Sequence, residues 1–328
     1  SRKPDFPGLD DFEGEWVQTS HWPDRPVPLA GRRIAVIGTG SSGVQVIPVL
    51  AAQAEHLHVF QRSPNYSVPA RNGPPDETRF RAIAADVGAK RAQLLKTRAG
   101  ITSGLPPLLP YAEYSEQERH ERLERQWAHG GQGMNRVFSD QSTDQAVNDV
   151  VAEFVRGKIC EIVKDPEVAE ALCPYDHPIG SRRLWVDTDY YATYNRANVT
   201  LVDIAKHPIE RITRTGIRTA EGDHDVDLIV FALGFKAFRG ALDGVDIRNE
   251  KGETPTRHWD RGPRTLLGLM TAGFPNFFFL TGPGSPSVLS NMVLMNEEHA
   301  NWVADMIAHM DAHGYATVEP TDEAQAAW

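Results

Sequence analysis

The sequence predicts a mixed α/β protein built on a Rossmann-like, doubly wound parallel sheet that carries a helical insertion. Three observations predict it. A short apolar run, Ile34-Ala35-Val36-Ile37, leads directly into the glycine turn Gly38-Thr39-Gly40-Ser41-Ser42-Gly43. Residues 42–54 then place Val44, Ile47, Val49 and Leu50 on one helical face. His56-Leu57-His58-Val59-Phe60 reads as a second strand. Strand, glycine turn, helix and strand in that order form the unit from which doubly wound sheets are assembled.

The remaining elements follow from pattern and punctuation. Residues 1–30 are rich in proline, aspartate and tryptophan and read as an extended linker that does not pack. Residues 67–177 read as a helical insertion. Pro69, Pro74 and Pro75 break the chain, and a charged helix spans 114–126. A second helix spans 146–163, with Val147, Val151, Phe154, Val155 and Ile159 on helical spacing, and a third begins at Asp165-Pro166. The strand pattern then resumes at 199–202, in a hairpin over 209–219 that turns near Thr215-Gly216, and in the buried strand 227–232. Phe277-Phe278-Phe279-Leu280 reads as a further apolar strand, and residues 289–313 as a long helix. The expected organisation is a linker (1–30), a nucleotide-binding domain (31–66 and 178–236), the insertion (67–177) and the incomplete part of a second domain (237–328).

Bulk composition narrows the function. A formal net charge of -10 argues against nucleic acid or an acidic membrane as partner. It leaves room for an anionic cofactor, because a few clustered arginines dominate a small site. No apolar run reaches the ~20 residues of a membrane span. The basic start, Ser1-Arg2-Lys3, lacks the apolar stretch of a signal peptide. The two cysteines, Cys160 and Cys173, lie outside any CxxC or zinc spacing and read as inert thiols. A cytoplasmic protein with no bound metal is expected.

The glycine turn carries the first chemistry. In a GxGxxG between strand and helix, the first glycine permits the tight turn and the second lets the backbone approach a pyrophosphate. The third lets helix and strand pack closely, and the helix N-terminus offers N–H groups to the phosphates. An NAD site wants a carboxylate about 20 residues on. This chain instead has Gln61-Arg62-Ser63-Pro64, and Arg62 lies 24 positions after Gly38. A guanidinium grips a 2′-phosphate through paired charge-assisted hydrogen bonds, so the site is read as one for NADPH. Gly180-Ser181-Arg182-Arg183 then places two arginines where the strand pattern returns. Neighbours in a strand point to opposite sides, so one could reach the cofactor phosphate and the other a reaction centre. The residues alone leave a surface ion-pair role equally open.

Taken together, these segments resemble the Baeyer–Villiger monooxygenases that use FAD and NADPH, near the phenylacetone and steroid enzymes. The family's linker fingerprint, FxGxxxHxxxWP, stands here as residues 12–23, from Phe12-Glu13-Gly14 to Trp22-Pro23. Its histidine is replaced by Gln18, and His21 follows three places later. Residues 37–43, 60–64, 189–191, 262–265, 271–276 and 282–292 also resemble the family. Its ATGF segment is Ala232-Leu233-Gly234-Phe235, followed by Lys236 in place of an aspartate.

The resemblance implies NADP contacts from Gly38, Thr39, Gly40, Ser41, Ser42, Gly43, Val44 and Gln45. It implies a 2′-phosphate end formed by Arg62, Ser63 and Arg182. Arg183 matches the family's catalytic arginine, which stabilises negative charge on the flavin peroxide and on the intermediate formed with the ketone. Ser287, Val288 and Leu289 match a substrate-pocket segment, and Met292 a flavin contact. The implied activity is insertion of one oxygen of O2 into a ketone, through a C4a-peroxyflavin, to give an ester or lactone. The implied second domain is of the FAD type, with neither nucleic acid, membrane nor protein as partner. Residues 38–43 are the sole GxGxxG, so the chain reads as a central piece lacking the family's FAD fingerprint and its C-terminal end. The alternatives are an N-hydroxylating flavin monooxygenase and a non-catalytic NADP-binding fragment.

Overall fold

The computed structural model describes residues 3–97, 99–100, 108–236, 240–259, 262–285 and 290–328. In chain order the strands and helices begin with β1 (Glu15–Gln18), β2 (Arg33–Ile37), α1 (Ser41–Ala51), β3 (His56–Gln61) and β4 (Ser67–Pro69). The helices α2 (Glu77–Ala85), α3 (Val87–Leu95), α4 (Glu116–His129), α5 (Gln145–Ile162) and α6 (Pro166–Leu172) follow. Next come β5 (Trp185–Asp187), α7 (Tyr190–Thr193), β6 (Val199–Asp203), β7 (Ile209–Ile212), β8 (Gly216–Thr219), β9 (Asp223–Asp225) and β10 (Leu228–Phe231). The chain ends with α8 (Pro255–His258), α9 (Met292–His313) and α10 (Asp322–Ala327). It divides into two compact units, 1–73 with 105–234, and 74–104 with 235–328.

The first unit is organised by a parallel sheet in the order β1-β10-β2-β3-β6. Side-chain alternation sends Ile34, Val36, Leu57, Val59, Leu228 and Val230 into a core with α1 and the helices of the insertion. It sends Ala35, Ile37, Phe60, Ile229 and Phe231 into a second core, with Ile212 and Ile217 of the antiparallel sheet β7-β8-β9. Both faces are covered, which is why the central strands read as continuous apolar runs. The expected doubly wound layering is modified. Helices cover one face, and a small antiparallel sheet covers the other. Val49, expected on the apolar face of α1, is 55% exposed.

Part of the segment expected as a linker does pack. β1 forms the edge of the parallel sheet, Val17 is buried, and Phe6 stacks on Phe231. The linker expectation fails there because the partner of β1 lies more than 200 residues downstream, beyond any local pattern. The helices of the insertion begin on side-chain caps. Asp144 accepts from Ala146 and Val147 N–H, Asp165 accepts ahead of Pro166, and Ser115 with Glu118 forms a capping box. α2 and α3 bury no residue, and polar composition hid them from the sequence reading.

On the second face of the sheet, His58 lies between His56 and His224, with ring centroids at 4.6 and 5.3 Å. Burial pushes His58 down to about 4, helped by the neighbouring histidines and Arg33. The unfolded chain takes up the proton that the folded ring refuses. Stability is therefore expected to fall as pH drops from the ordinary histidine range to about 4. Denaturant unfolding at pH 7 and pH 4.5 should show a smaller pH loss in His58→Gln than in the parent, and an equal loss in both rejects this assignment.

In the second unit, residues 74–104 of the expected insertion group with the C-terminal segment. Trp259 is its largest fully buried side chain, and the indole N–H donates to Thr271 Oγ1 at 2.9 Å. Thr271 in turn donates to Gln325 Oε1 of α10 at 3.0 Å. The expected strand at 277–280 does not form, and among the described residues this unit has no strand. The run is used for side-chain packing instead. Phe279 lies against Trp259 and Phe277, and Phe278 against Trp302 of α9.

Candidate functional site

The order of the parallel sheet locates a crevice. From β2 the chain moves to β3 and β6 on one side, and β10 lies on the other. In such sheets ligands bind beyond the carboxyl ends of the strands where the order reverses. Ile37, at the carboxyl end of β2, pairs with both Phe60 and Phe231, and the glycine turn follows it directly.

The three glycines do different jobs. Gly38 has φ +105° and donates its N–H to Phe60 O at 3.0 Å. A Cβ on it would lie 2.6 Å from Ala232 O. A Cβ on Gly43 would lie 2.2 Å from Gly38 O. Both positions are glycine because the turn and α1 pack too closely for a side chain. Gly40 is different. Its φ of -73° suits any residue, and a Cβ there would meet no atom within 4 Å. Neither conformation nor internal packing requires glycine at that position. Its missing side chain leaves an open approach to the start of α1, which has no side-chain cap and no acidic residue in its first turn. The orphan N–H groups and positive dipole end of such a terminus suit an anion.

Of the other expected contacts on this turn, Ser41, Ser42 and Gln45 are exposed and Thr39 is buried. Val44 has no free surface to offer. Its side chain is fully buried and its N–H donates to Gly40 O at 2.9 Å, so it serves the packing of the turn.

Arg62 and Ser63 stand exposed at the carboxyl end of β3, on the same edge of the sheet as the glycine turn. Arg182 and Arg183 are also exposed, but they do not lie in a strand. β5 begins at Trp185, and the two arginines occupy the turn before it. The strand alternation expected for them does not apply. Gly180, at φ +89°, makes the bend that ends the regular pattern. Arg182 donates to Asp176 at 2.9 Å. Among the described residues, Arg62 and Arg183 have no ion-pair partner.

The loop carrying Arg62 and the turn carrying Arg182 and Arg183 are fastened together. Asn65 Nδ2 donates to Arg183 O at 3.0 Å, Trp185 N–H donates to Tyr66 O at 3.1 Å, and β4 pairs with β5. His177 bonds Asn65 Oδ1 at 2.8 Å and Asp176 Oδ1 at 2.5 Å. The bond from His177, joined by Arg182, holds the Asp176 carboxyl below the usual carboxylate range. Sequence reasoning missed Asn65, Asp176 and His177. The available signal was the Asp-His pair just ahead of the two arginines.

Met292 opens α9 in the second unit and is 44% exposed. Asn291 caps that helix by accepting from the N–H groups of Val293 and Leu294. Ser287, Val288 and Leu289 lie outside the described residues.

No family model matches the chain. It is 40% identical over 329 residues to a Baeyer-Villiger monooxygenase of Pseudooceanicola batsensis, covering 99% of this chain and 59% of that protein. It is 37% identical over 335 residues to the phenazine N-monooxygenase of Lysobacter antibioticus, covering 99% and 60%. Among solved structures it is similar to oxidized steroid monooxygenase bound to NADP, with TM-score 0.92, 48% identity, and 100% and 62% of the two chains covered. It is also similar to the enzyme OTEMO in complex with FAD and NADP, with TM-score 0.94, 39% identity, and 100% and 63% covered. The chain thus spans about three fifths of the length of these relatives. Over almost its whole length, this chain is similar to monooxygenases, among them one named a Baeyer–Villiger monooxygenase.

Proposed function

We propose that the glycine turn and the two arginine-bearing turns bind NADPH. In this reading the chain is the NADPH-side portion of a monooxygenase that inserts one oxygen of O2 into a ketone, giving an ester or lactone. The observation that carries it is Gly40, a glycine that the fold does not need, beside an uncapped helix N-terminus. The pyrophosphate would lie there, over the exposed Ser41 and Ser42. Arg62, with Ser63 and Arg182, would take the 2′-phosphate. Arg183 would present a permanent charge to the anionic stage of the reaction. Residues 31–66 and 178–236 would form the NADP domain, and 237–328 part of the FAD-type domain. The protein would act in the cytoplasm on a small ketone.

FAD, when bound, would supply the oxygen-activating chemistry. The start of α9, which carries Met292, offers it no uncapped N-terminus like the one at Gly40, because Asn291 already caps that helix. The flavin enters this reading through the relatives. A second reading, oxygenation at nitrogen, is favoured by the 37% identical phenazine N-monooxygenase. The similarity to a protein named a Baeyer-Villiger monooxygenase and the Arg183 match favour the first.

The test is incubation of the full-length protein with NADPH, FAD, O2 and a panel of ketones and aromatic amines or N-heterocycles. Ester or lactone is the expected product. N-oxygenated product alone selects the second reading, and NADPH binding without turnover leaves a nucleotide-binding protein. For the cofactor, Arg62→Ala should weaken NADPH about 10- to 100-fold, the worth of charged hydrogen bonds of ~1.5–3 kcal/mol, and leave NADH within about twofold. Nucleotide titration followed by fluorescence reads this directly. Unchanged NADPH affinity removes Arg62 from the site.

A further inference from the structure

A single hydrogen-bonded chain joins the two arginine-bearing turns through groups with no place in the reading above. It runs from Arg182 Nη2 to Asp176 Oδ2 at 2.9 Å, from Asp176 Oδ1 to His177 Nδ1 at 2.5 Å, and from His177 Nε2 to Asn65 Oδ1 at 2.8 Å. It ends with Asn65 Nδ2 donating to Arg183 O at 3.0 Å. The middle of this chain is built into the protein. The His177 side chain is 6% exposed, Asn65 is buried, and the imidazole packs edge-on to Tyr66 at 5.4 Å. The Tyr66 hydroxyl is fixed in turn by donating to Pro174 O and accepting from Arg156.

The donors and acceptors give the chain a direction. Asn65 must turn its amide N–H to the Arg183 carbonyl, so it offers His177 only an oxygen. Asp176 also offers only oxygens. The two ring nitrogens of His177 therefore both face side-chain oxygens of its neighbours. The imidazole then ties the carboxylate that grips Arg182 to the residue that fixes the backbone at Arg183. Asn65 lies three positions after Arg62, so the same bonds tie the loop that carries Arg62 to the turn that carries Arg182 and Arg183.

We infer that Asp176 and His177 are positioning residues for nucleotide selection: by holding Arg182 against the loop that carries Arg62, they set the preference for a 2′-phosphate over a 2′-hydroxyl. This inference rests on the NADPH reading of the site. A guanidinium pair discriminates a phosphate by its spacing as well as its charge, because each bidentate contact needs a fixed fork geometry. A flexible arginine would give up much of that gain to the entropy of ordering. The ribose and pyrophosphate of either nucleotide are held elsewhere, at the glycine turn. Loss of the relay should therefore affect NADPH and spare NADH.

The experiment measures NADPH and NADH dissociation constants for the full chain and its His177→Ala, Arg182→Ala and double variants, with thermal unfolding as a folding control. His177→Ala is expected to weaken NADPH about tenfold and leave NADH within about twofold. In the Arg182→Ala background it should add little, because the relay acts through that residue. Equal losses for both nucleotides, or additive losses in the double variant, would mark His177 as merely structural and overturn the inference. Should His177→Ala fail to fold, Asp176→Asn keeps the shape of a half-exposed side chain and removes its charge. It should lower the NADPH preference in the same direction. An unchanged or tightened NADPH affinity in Asp176→Asn overturns the inference. Arg62→Ala serves as the separate control. If it too leaves NADPH binding unaltered, the NADPH reading of the site has failed and not the relay alone.

Discussion

Arg183→Ala in the full-length protein is expected to lower ester or lactone formation by about 10²–10³-fold while NADPH affinity changes by less than about twofold. The expectation rests on where the side chain is free and where the backbone is not. The Arg183 carbonyl is held by Asn65, and the following Leu184 is buried, so the residue is fixed at its base. The guanidinium is exposed and, among the described residues, has no carboxylate partner. A fixed, uncompensated and permanently charged donor suits stabilisation of charge that develops during reaction. Arg182, its neighbour, is already engaged with Asp176 and belongs to the phosphate end of the reading. Rates and product yields with a ketone that the parent protein converts decide the matter. Ester formation at the parent rate would remove Arg183 from catalysis. Loss of NADPH binding in parallel would move it to the nucleotide site.

The second large effect separates two glycines in one turn. Gly43→Val should destabilise the protein by about 3 kcal/mol or more, because the new Cβ lies 2.2 Å from the Gly38 carbonyl and neither backbone segment can yield cheaply. Gly38 is tied to Phe60 and packed on Ala232, so the clash is passed into the sheet. Gly40→Val should leave thermal stability nearly unchanged, because no atom of the chain lies within 4 Å of its added Cβ and its backbone angles suit any residue. Yet it should weaken NADPH by about 100-fold or more, since a branched side chain would fill the approach to the helix N-terminus. Melting curves and NADPH titrations on both variants test the contrast. Normal NADPH affinity in Gly40→Val would mean that the pyrophosphate does not lie on this turn.

Much of the first unit was legible because its signals are local. The run 34–37, the glycine turn, the start of α1 and the strand 56–60 lie within 30 residues of one another, and each has its own periodicity or punctuation. The helices α5 and α6 were legible for the same reason, through apolar spacing and the Asp165-Pro166 start. The misreadings share the opposite property. β1 is a strand only because β10 offers it a free edge, and the aromatic run 277–280 is not a strand among the described residues because nothing pairs with it. A strand is a relation between two segments, so apolar content cannot decide it alone. The helices α2 and α3 carry no buried residue, and so showed no apolar stripe to detect.

The site divides along the same line. By itself the sequence determined that Gly38 to Gly43 forms a strand-to-helix turn, and that Arg62 follows the next strand, because both are facts of spacing along the chain. Only the tertiary structure decided which glycine the fold leaves unused, since that depends on the distance from each Cβ position to residues remote in sequence. It also took Arg182 and Arg183 out of the strand in which alternation had placed them. It set their turn against the Arg62 loop through Asn65, His177 and Asp176. Residues 65 and 177 are 112 positions apart. No periodicity encodes such a contact, because it arises from the pairing of β4 with β5 and from the need of a buried imidazole to satisfy both its nitrogens.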